Sequence, residues 1–242
     1  MRFLVTAGNT QTPIDRVRCI TNVFTGRTGT GIALEARRRG HAVCLLTSHP
    51  ELIRELGPDA ELEVRPYRTF DDLHRLLADA LPGGHFDVLV HSAAVSDFAL
   101  GGVYVPATGT DFDPLGHVWR AVEDSPRLAD ATAEKIKSHH DELWLRLVRT
   151  PKLADSVRSE WGFAGVFVKF KLEVGVSPEE LLEVAERSRQ QSGADFIVAN
   201  TLEGMGEVAY IGSRTGPWRE VPRADLAAAV VTSIEDATVP LG

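Results

Sequence analysis

Residues 7–31 read AGNTQTPIDRVRCITNVFTGRTGTG, a glycine-rich polar loop between the apolar run Phe3-Leu4-Val5-Thr6-Ala7 and the helical pattern that begins at Ile32-Ala33-Leu34-Glu35-Ala36. The run predicts a buried strand, and the pattern a helix whose N-terminus falls near Gly29. A strand, a glycine-bearing turn and a helix N-terminus together make an anion site, because free backbone N–H groups and the helix dipole point at one spot. Phosphate is the expected guest.

Outward from this loop, strand-like and helical patterns alternate. Strands are predicted at 2–7, 42–47, 62–65 and 86–92, with helices at 29–39 and 71–81. The second half adds strands at 143–148, 164–170, 195–199 and 207–212, and helices at 151–161, 178–192 and 222–236. Such alternation predicts an α/β fold of three layers, Rossmann-like, with a mostly parallel sheet and helices on both faces. In sheets of this kind ligands bind beyond the carboxyl ends of the strands, near the switch point of strand order. Gly8-Asn9, the segment from Ala93 to Phe98, Lys171 to Glu173, and Asn200 each follow a strand, so all should share one edge. No linker or composition shift divides residues 1–242, which predicts a single domain. Residues 99–134, broken by Gly101-Gly102, Pro106, Thr108-Gly109, Pro114 and Gly116, form an irregular insert. The strand at 143–148 suits pairing across a dimer.

With 43% hydrophobic and 25% charged residues, the 242-residue chain has the composition of a globule able to bury a core. A formal net charge of -8 argues against a nucleic-acid or membrane surface, so any phosphate binding is local. Arg37-Arg38-Arg39 fall in the last turn of the first helix, where cations complement the dipole. Only Cys19 and Cys44 are present, without a CxxC pair, and the chain opens on a strand rather than a basic, apolar leader. A reduced, cytoplasmic setting follows. The histidines, His139-His140 included, show no metal-ligand spacing.

The loop contains neither G-x-G-x-x-G nor G-x-x-x-x-G-K-[ST]. It runs Gly8-Asn9-Thr10, then Pro13-Ile14-Asp15-Arg16-Val17-Arg18, then Asn22-Val23-Phe24-Thr25-Gly26-Arg27-Thr28-Gly29. This resembles the phosphopantothenoylcysteine synthetase family, whose loop runs T-[AS]-G-G-T and P-[IL]-[DE]-x-V-R-x-[IL]-[ST]-N-x-S-S-G-[KR]-x-G; here Phe24-Thr25 stand where the family has Ser-Ser. Ala93-Ala94-Val95-Ser96-Asp97-Phe98, Glu134-Lys135-Ile136-Lys137-Ser138, Phe170-Lys171-Leu172-Glu173 and the strand ending at Asn200 match further family segments in order. The resemblance covers residues 1–212.

It implies a ligase that joins 4′-phosphopantothenate to cysteine in coenzyme A biosynthesis, with ATP or CTP as cosubstrate and Mg²⁺ as cofactor. The acid is activated as an acyl-nucleotide, so charge neutralisation and positioning carry the catalysis. Lys135 is the first catalytic candidate, a cation for the charge that builds on the α-phosphate, with Lys137 as its neighbour and rival. Asn22 is the second, an amide for the acyl carbonyl and carboxylate. Arg18 offers a planar fork to a phosphate or carboxylate of the substrate, or pairs with Asp15 in a structural bridge. Gly8, Asn9, Gly26, Arg27, Gly29, Ala93, Asp97, Phe98, Lys171 and Asn200 are the nucleotide-binding candidates. Asp97 is also the candidate for Mg²⁺, and a half-buried Lys171 calls for an anionic partner. By the same analogy the partners are small molecules and a second copy in a homodimer, and no FMN is expected.

Two rivals remain open on sequence alone. A non-catalytic nucleotide-binding paralogue is one. An NAD(P)-dependent reductase is the other, but Tyr67, Tyr104 and Tyr210 are followed four places on by Asp71, Thr108 and Arg214, so Tyr-x-x-x-Lys is missing.

Overall fold

The computed structural model describes residues 1–57, 62–122 and 125–238, so both 123–124 of the expected insert and the last four residues of the expected domain lie outside it. In chain order it begins with β1 (Arg2–Ala7), β2 (Gln11–Pro13), β3 (Cys19–Thr21), α1 (Arg27–Arg38), β4 (Ala42–Thr47) and α2 (Glu51–Leu56). Next come β5 (Glu63–Pro66), α3 (Phe70–Ala80), β6 (Val88–His91), β7 (Phe98–Pro106), β8 (Thr110–Asp113), β9 (Val118–Ala121) and β10 (Leu128–Asp130). The chain continues through β11 (Trp144–Arg149), α4 (Leu153–Ser159), β12 (Val166–Glu173), α5 (Pro178–Ser192), β13 (Phe196–Thr201), β14 (Val208–Ser213), β15 (Arg219–Pro222) and α6 (Leu226–Thr238). These elements divide into two compact units: residues 1–10, 23–95 and 152–242, and residues 11–22 with 96–151.

The first unit is the three-layer α/β fold that the alternation predicts. Its eight-stranded sheet has the order β15-β14-β13-β12-β6-β1-β4-β5 among the described residues. The strands from β13 to β5 are parallel, while β14 runs antiparallel to β13, and β15 to β14. Alternate residues of β1 supply both faces of the core. Phe3, Val5 and Ala7 pack with Ile32, Ala33 and Ala36 of α1 and Val230, Val231 and Ile234 of α6. Leu4 faces the other way, with Leu73 and Leu77 of α3, Val157 of α4 and Phe167. Strands buried on both faces explain the continuous apolar runs.

Local chemistry sets the helix ends. Thr69 and Asp72 form a reciprocal capping box at α3, while Ser177 caps α5 before Pro178, and Gly193 ends it in the left-handed region. At the end of α1, Arg38 and Arg39 pair with Glu35, and Arg39 also with Glu235 of α6, as cations closing a helix do. Helix α6 starts later than its apolar pattern predicts, because β15 runs to Pro222 and Arg223–Asp225 form a single 3₁₀ turn before the helix.

The second unit is antiparallel. Residues 99–134, predicted as irregular, largely form strands: β7 lies between β10 and β11, and β8 pairs with β9. Gly101 and Gly102 lie inside β7 and Pro106 ends it, while Gly109, Pro114 and Gly116 sit between strands. In the turn after β8, Asp113 Oδ1 accepts the backbone N–H groups of Leu115 (3.0 Å) and Gly116 (3.1 Å). Phe112, Trp119 and Trp144 form a three-ring cluster with centroids 4.5–5.2 Å apart, joining the β8–β9 hairpin to β11. The remaining strands, β2 and β3, make a small hairpin.

Candidate functional site

Strand β1 has β4 on one side and β6 on the other, and the chain reaches β6 only after building outward through β4 and β5. The carboxyl ends of β1 and β6 therefore flank the switch point where a Rossmann-type sheet takes its ligand. Gly8 and Asn9 continue from β1, and Ser92 to Ala94 from β6. These ends are laced together: Ala94 N–H donates to Gly8 O (2.8 Å), Thr10 N–H to Ala94 O (3.2 Å), and Ser92 N–H to Thr6 O (3.2 Å).

Helix α1 starts directly against this edge. Gly26 has φ 92°, and a Cβ there would lie 2.1 Å from the Gly8 backbone nitrogen. A Cβ on Gly29 would lie 2.8 Å from Ala7 Cβ and 2.9 Å from Thr6 O. No side chain fits between the end of β1 and the first turn of α1, so the helix N-terminus is brought onto the strand by backbone contact. The first-turn N–H groups of α1 and the positive end of its dipole thus face the switch point, as the loop's composition predicts.

Buried side chains brace the same turn. Asn9 N–H donates to Ser48 Oγ (2.9 Å), which donates to Asn9 Oδ1 (3.2 Å). Tyr67 donates its hydroxyl to Ala7 O (2.7 Å), and burial pushes its phenol well above the usual range. A core tyrosine of this kind cannot serve as the proton donor a reductase needs. Thr6 Oγ1 accepts Ala93 N–H (3.1 Å) and lies 3.0 Å from His91 Nδ1. His91 is buried, and desolvation, reinforced by Lys169, lowers its pKa to about 4, so its ring is neutral at pH 7. Burial also lowers the Lys169 ammonium to about 8, where it donates to Ser188 O (3.1 Å).

Farther along the edge, the half-buried Lys171 takes its anionic partner from its own strand, Glu173 at 2.8 Å. Asn200 is the next-to-last residue of β13, in register with Leu172. Arg27, the first residue of α1, pairs with Glu55 at 2.5 Å. The first unit thus gathers Gly8, Asn9, Ala93, Lys171 and Asn200 on one sheet edge, as strand order predicts, and places Gly26, Arg27 and Gly29 at the start of α1; Asp97 and Phe98, expected on the same edge, fall in the second unit.

The second unit holds Arg18, Asn22, Asp97, Phe98 and Lys135. Its organising residue is Asp15, which the sequence singles out only as a rival partner for Arg18. The Arg18 Nε and Nη2 atoms approach Asp15 Oδ2 at 3.1 and 2.6 Å, and Nη2 also donates to Ile136 O (2.8 Å). Asp15 further accepts N–H from Val17 (2.8 Å), Arg18 (2.8 Å) and Ile136 (3.1 Å). The guanidinium and these amides hold its carboxyl far below the usual carboxylate range. Ile136 is buried with both backbone polar groups tied, so its neighbours Lys135 and Lys137 project outward. Neither lysine has an ion pair or hydrogen bond among the described residues. Asn22 is half-buried after β3, and Asp97 and Phe98 are exposed where β7 begins, with Thr150 N–H bonded to Asp97 O (2.9 Å).

Among the described residues no three His, Cys, Asp or Glu side chains cluster to hold a metal ion, and no helix is long and apolar enough to cross a membrane. A magnesium ion that arrives on a triphosphate needs only one or two carboxylates from the protein, so the donors present are compatible with it.

A family model described as the DNA/pantothenate metabolism flavoprotein C-terminal domain matches residues 1–103 and 120–236. The Coenzyme A biosynthesis bifunctional protein CoaBC of Thermococcus kodakarensis is 34% identical over 216 residues, 87% of this chain and 45% of that protein. The chain spans about half the length of the curated relatives it matches. Among solved structures, the DNA/Pantothenate Metabolism Flavoprotein from Streptococcus pneumoniae matches with a TM-score of 0.77 at 26% identity, covering 98% of this chain and 99% of that one. A Cab2 variant in complex with phosphopantothenate-cysteine shares the fold, with a TM-score of 0.66 at 17% identity over 98% of this chain and 85% of that one.

Proposed function

The chain belongs to the DNA/pantothenate metabolism flavoprotein C-terminal domain family, and from that premise we propose that it joins 4′-phosphopantothenate to L-cysteine at the expense of ATP or CTP. The observation that carries this reading is the β1–α1 junction at the switch point, where backbone amides and a helix dipole meet with no side chain between them. An oligophosphate is the anion that such a junction suits.

Amide formation requires the carboxylate oxygen to become part of a leaving group. The phosphopantothenate carboxylate attacks the α-phosphorus, pyrophosphate departs, and the cysteine amine then displaces the nucleotide from the acyl carbon, losing a proton. Lys135 is assigned to the charge that builds on the α-phosphate; its exposed, unpaired ammonium on a clamped backbone supports that role. Asn22 is assigned to the substrate carboxylate and acyl oxygen. Arg18 ties its loop to the Lys135 segment and offers its exposed edge to the substrate. Gly8, Asn9, Gly26, Arg27, Gly29, Ala93, Phe98, Lys171 and Asn200 are assigned to the nucleotide. Asp97 would hold Mg²⁺, which supplies charge neutralisation on the triphosphate.

A homodimer fits the second unit, in which Phe98, Leu115, Val118, Leu128 and Leu147 are exposed apolar side chains and β11 is an edge strand. Two free cysteines, Cys19 exposed and Cys44 buried, suit a reducing cytoplasm.

The test is pyrophosphate release. It should require phosphopantothenate, cysteine, Mg²⁺ and nucleotide together, and release indifferent to phosphopantothenate rejects the ligase. Lys135→Ala should abolish acyl-nucleotide formation with the fold intact, and wild-type turnover in that variant removes Lys135 from the mechanism.

A further inference from the structure

Arg223 follows β15, whose direction is fixed by two antiparallel steps from β13 and so matches that of β1. The end of β15 therefore lies at the carboxyl edge of the sheet, and Arg223 N–H donates there to Glu207 O, just before β14 (2.8 Å). From this position its guanidinium donates to Thr28 Oγ1 in the first turn of α1. That is an unfavourable place for a cation. The turn is the positive end of the helix, it contains no acidic residue, and desolvation lowers the pKa of Arg223.

Every other half-buried or buried arginine among the described residues faces a carboxylate: Arg39 has Glu35 and Glu235, Arg65 has Glu63, Arg158 has Asp195, and Arg189 has Glu186. Arg223 has none. Two residues beyond Thr28, Thr30 is fully buried with its hydroxyl unpartnered among the described residues. Polar capacity at this turn is thus left unfilled, on the cationic side and on the hydroxyl side.

We propose that Arg223 is an oligophosphate-binding residue, which together with the N-terminal amides of α1 grips the phosphate chain of the nucleotide. This rests on the nucleotide site proposed above and adds to it a contact from the far end of the chain, 195 residues from Thr28. The bound anion supplies the missing countercharge to both the guanidinium and the helix end, and Thr28 holds the side chain in place beforehand. A planar fork satisfies two phosphate oxygens at once, which a lysine cannot do.

The experiment is calorimetric titration of the full chain with inorganic tripolyphosphate, ATP and CTP, the nucleotides with Mg²⁺, alongside thermal unfolding. Arg223→Gln should weaken all three about tenfold or more and Arg223→Lys less, as loss of a charge-assisted, bidentate contact implies. The ligand-free melting temperature should hold or rise in Arg223→Gln, since an uncompensated cation is removed, whereas a structural arginine would lower it. Unchanged tripolyphosphate affinity in Arg223→Gln, or no binding by wild type, overturns the assignment. Pyrophosphate release measured in parallel separates the two readings: a wild type that shows the Arg223 effect but no phosphopantothenate-dependent release loses the ligase and keeps the anion contact.

Discussion

Residues 7–9 in the first unit and 14–18 in the second are both tight polar turns, fixed by different means. The first is fixed by the absence of side chains: Gly26 and Gly29 let backbone meet backbone, and Ser48 and Tyr67 satisfy what is left. The second is fixed by one side chain, Asp15, whose carboxylate accepts from an arginine and three amides. A turn built from close backbone approach tolerates no added atom, whereas a turn built on one carboxylate depends on that residue and on the Arg18 guanidinium it holds. The proposed chemistry divides along the same line, with anion-binding backbone in one unit and the proposed catalytic cation in the other.

The sharpest way to break this comparison is Gly26→Ala. The added carbon overlaps the Gly8 nitrogen on a residue held at φ 92°. Destabilisation of about 3 kcal/mol or more in urea unfolding is expected, with loss of nucleotide binding. A stable, nucleotide-binding variant would show that the contact is not needed.

Acid separates the units next. Folded His91 stays neutral down to about pH 4, while an unfolded histidine binds its proton near 6.5. The unfolded chain then holds more protons across that window, so the first unit weakens as pH falls, by about 1.4 kcal/mol per pH unit. The Asp15 carboxyl is depressed as well, but from a lower starting point, so its clamp is complete above the unfolded value of 3.8 and is lost only as pH drops below it. Hydrogen exchange at pH 5 should therefore loosen peptides of β1 and β6 while those at 14–18 and 134–137 stay protected. His91→Gln should flatten the slope of the first unit.

Asp15→Asn is the most local change. Protection of the Val17 and Ile136 amides should fall, and turnover with it by about tenfold through misplacement of Lys135. Nucleotide affinity and the melting of the first unit should not move. A variant with normal turnover would separate the clamp from catalysis.

The parts of the molecule that were legible in sequence are those with local causes. Strands β1 and β4 and helix α5 fall at their predicted residues because apolar runs, Ser177, Pro178 and Gly193 mark them within a few positions. The shared strand edge was legible for the same reason, since parallel strands joined by helices must end together. The antiparallel strands of 99–134 were not, because β7 carries Gly101-Gly102 in its middle and β8, β9 and β10 are only three or four residues long, too short to show a period. Nor were the bonds from Asp15 to Ile136, from Tyr67 to Ala7, or from Arg223 to Thr28, whose partners meet only after the whole chain has folded.

The β8–β9 hairpin leaves and rejoins the chain at nearly one point, where Thr110 N–H bonds Ala107 O and Val122 N–H bonds Gly109 O, both at 2.9 Å. Most of it falls in residues 104–119, which the family match skips. Beyond Phe112 and Trp119, which pack on Trp144, the tip of such a closed appendage can be lengthened without sliding β7 against β11, and a label or tag spliced between Pro114 and His117 would ride on the protein as a passenger.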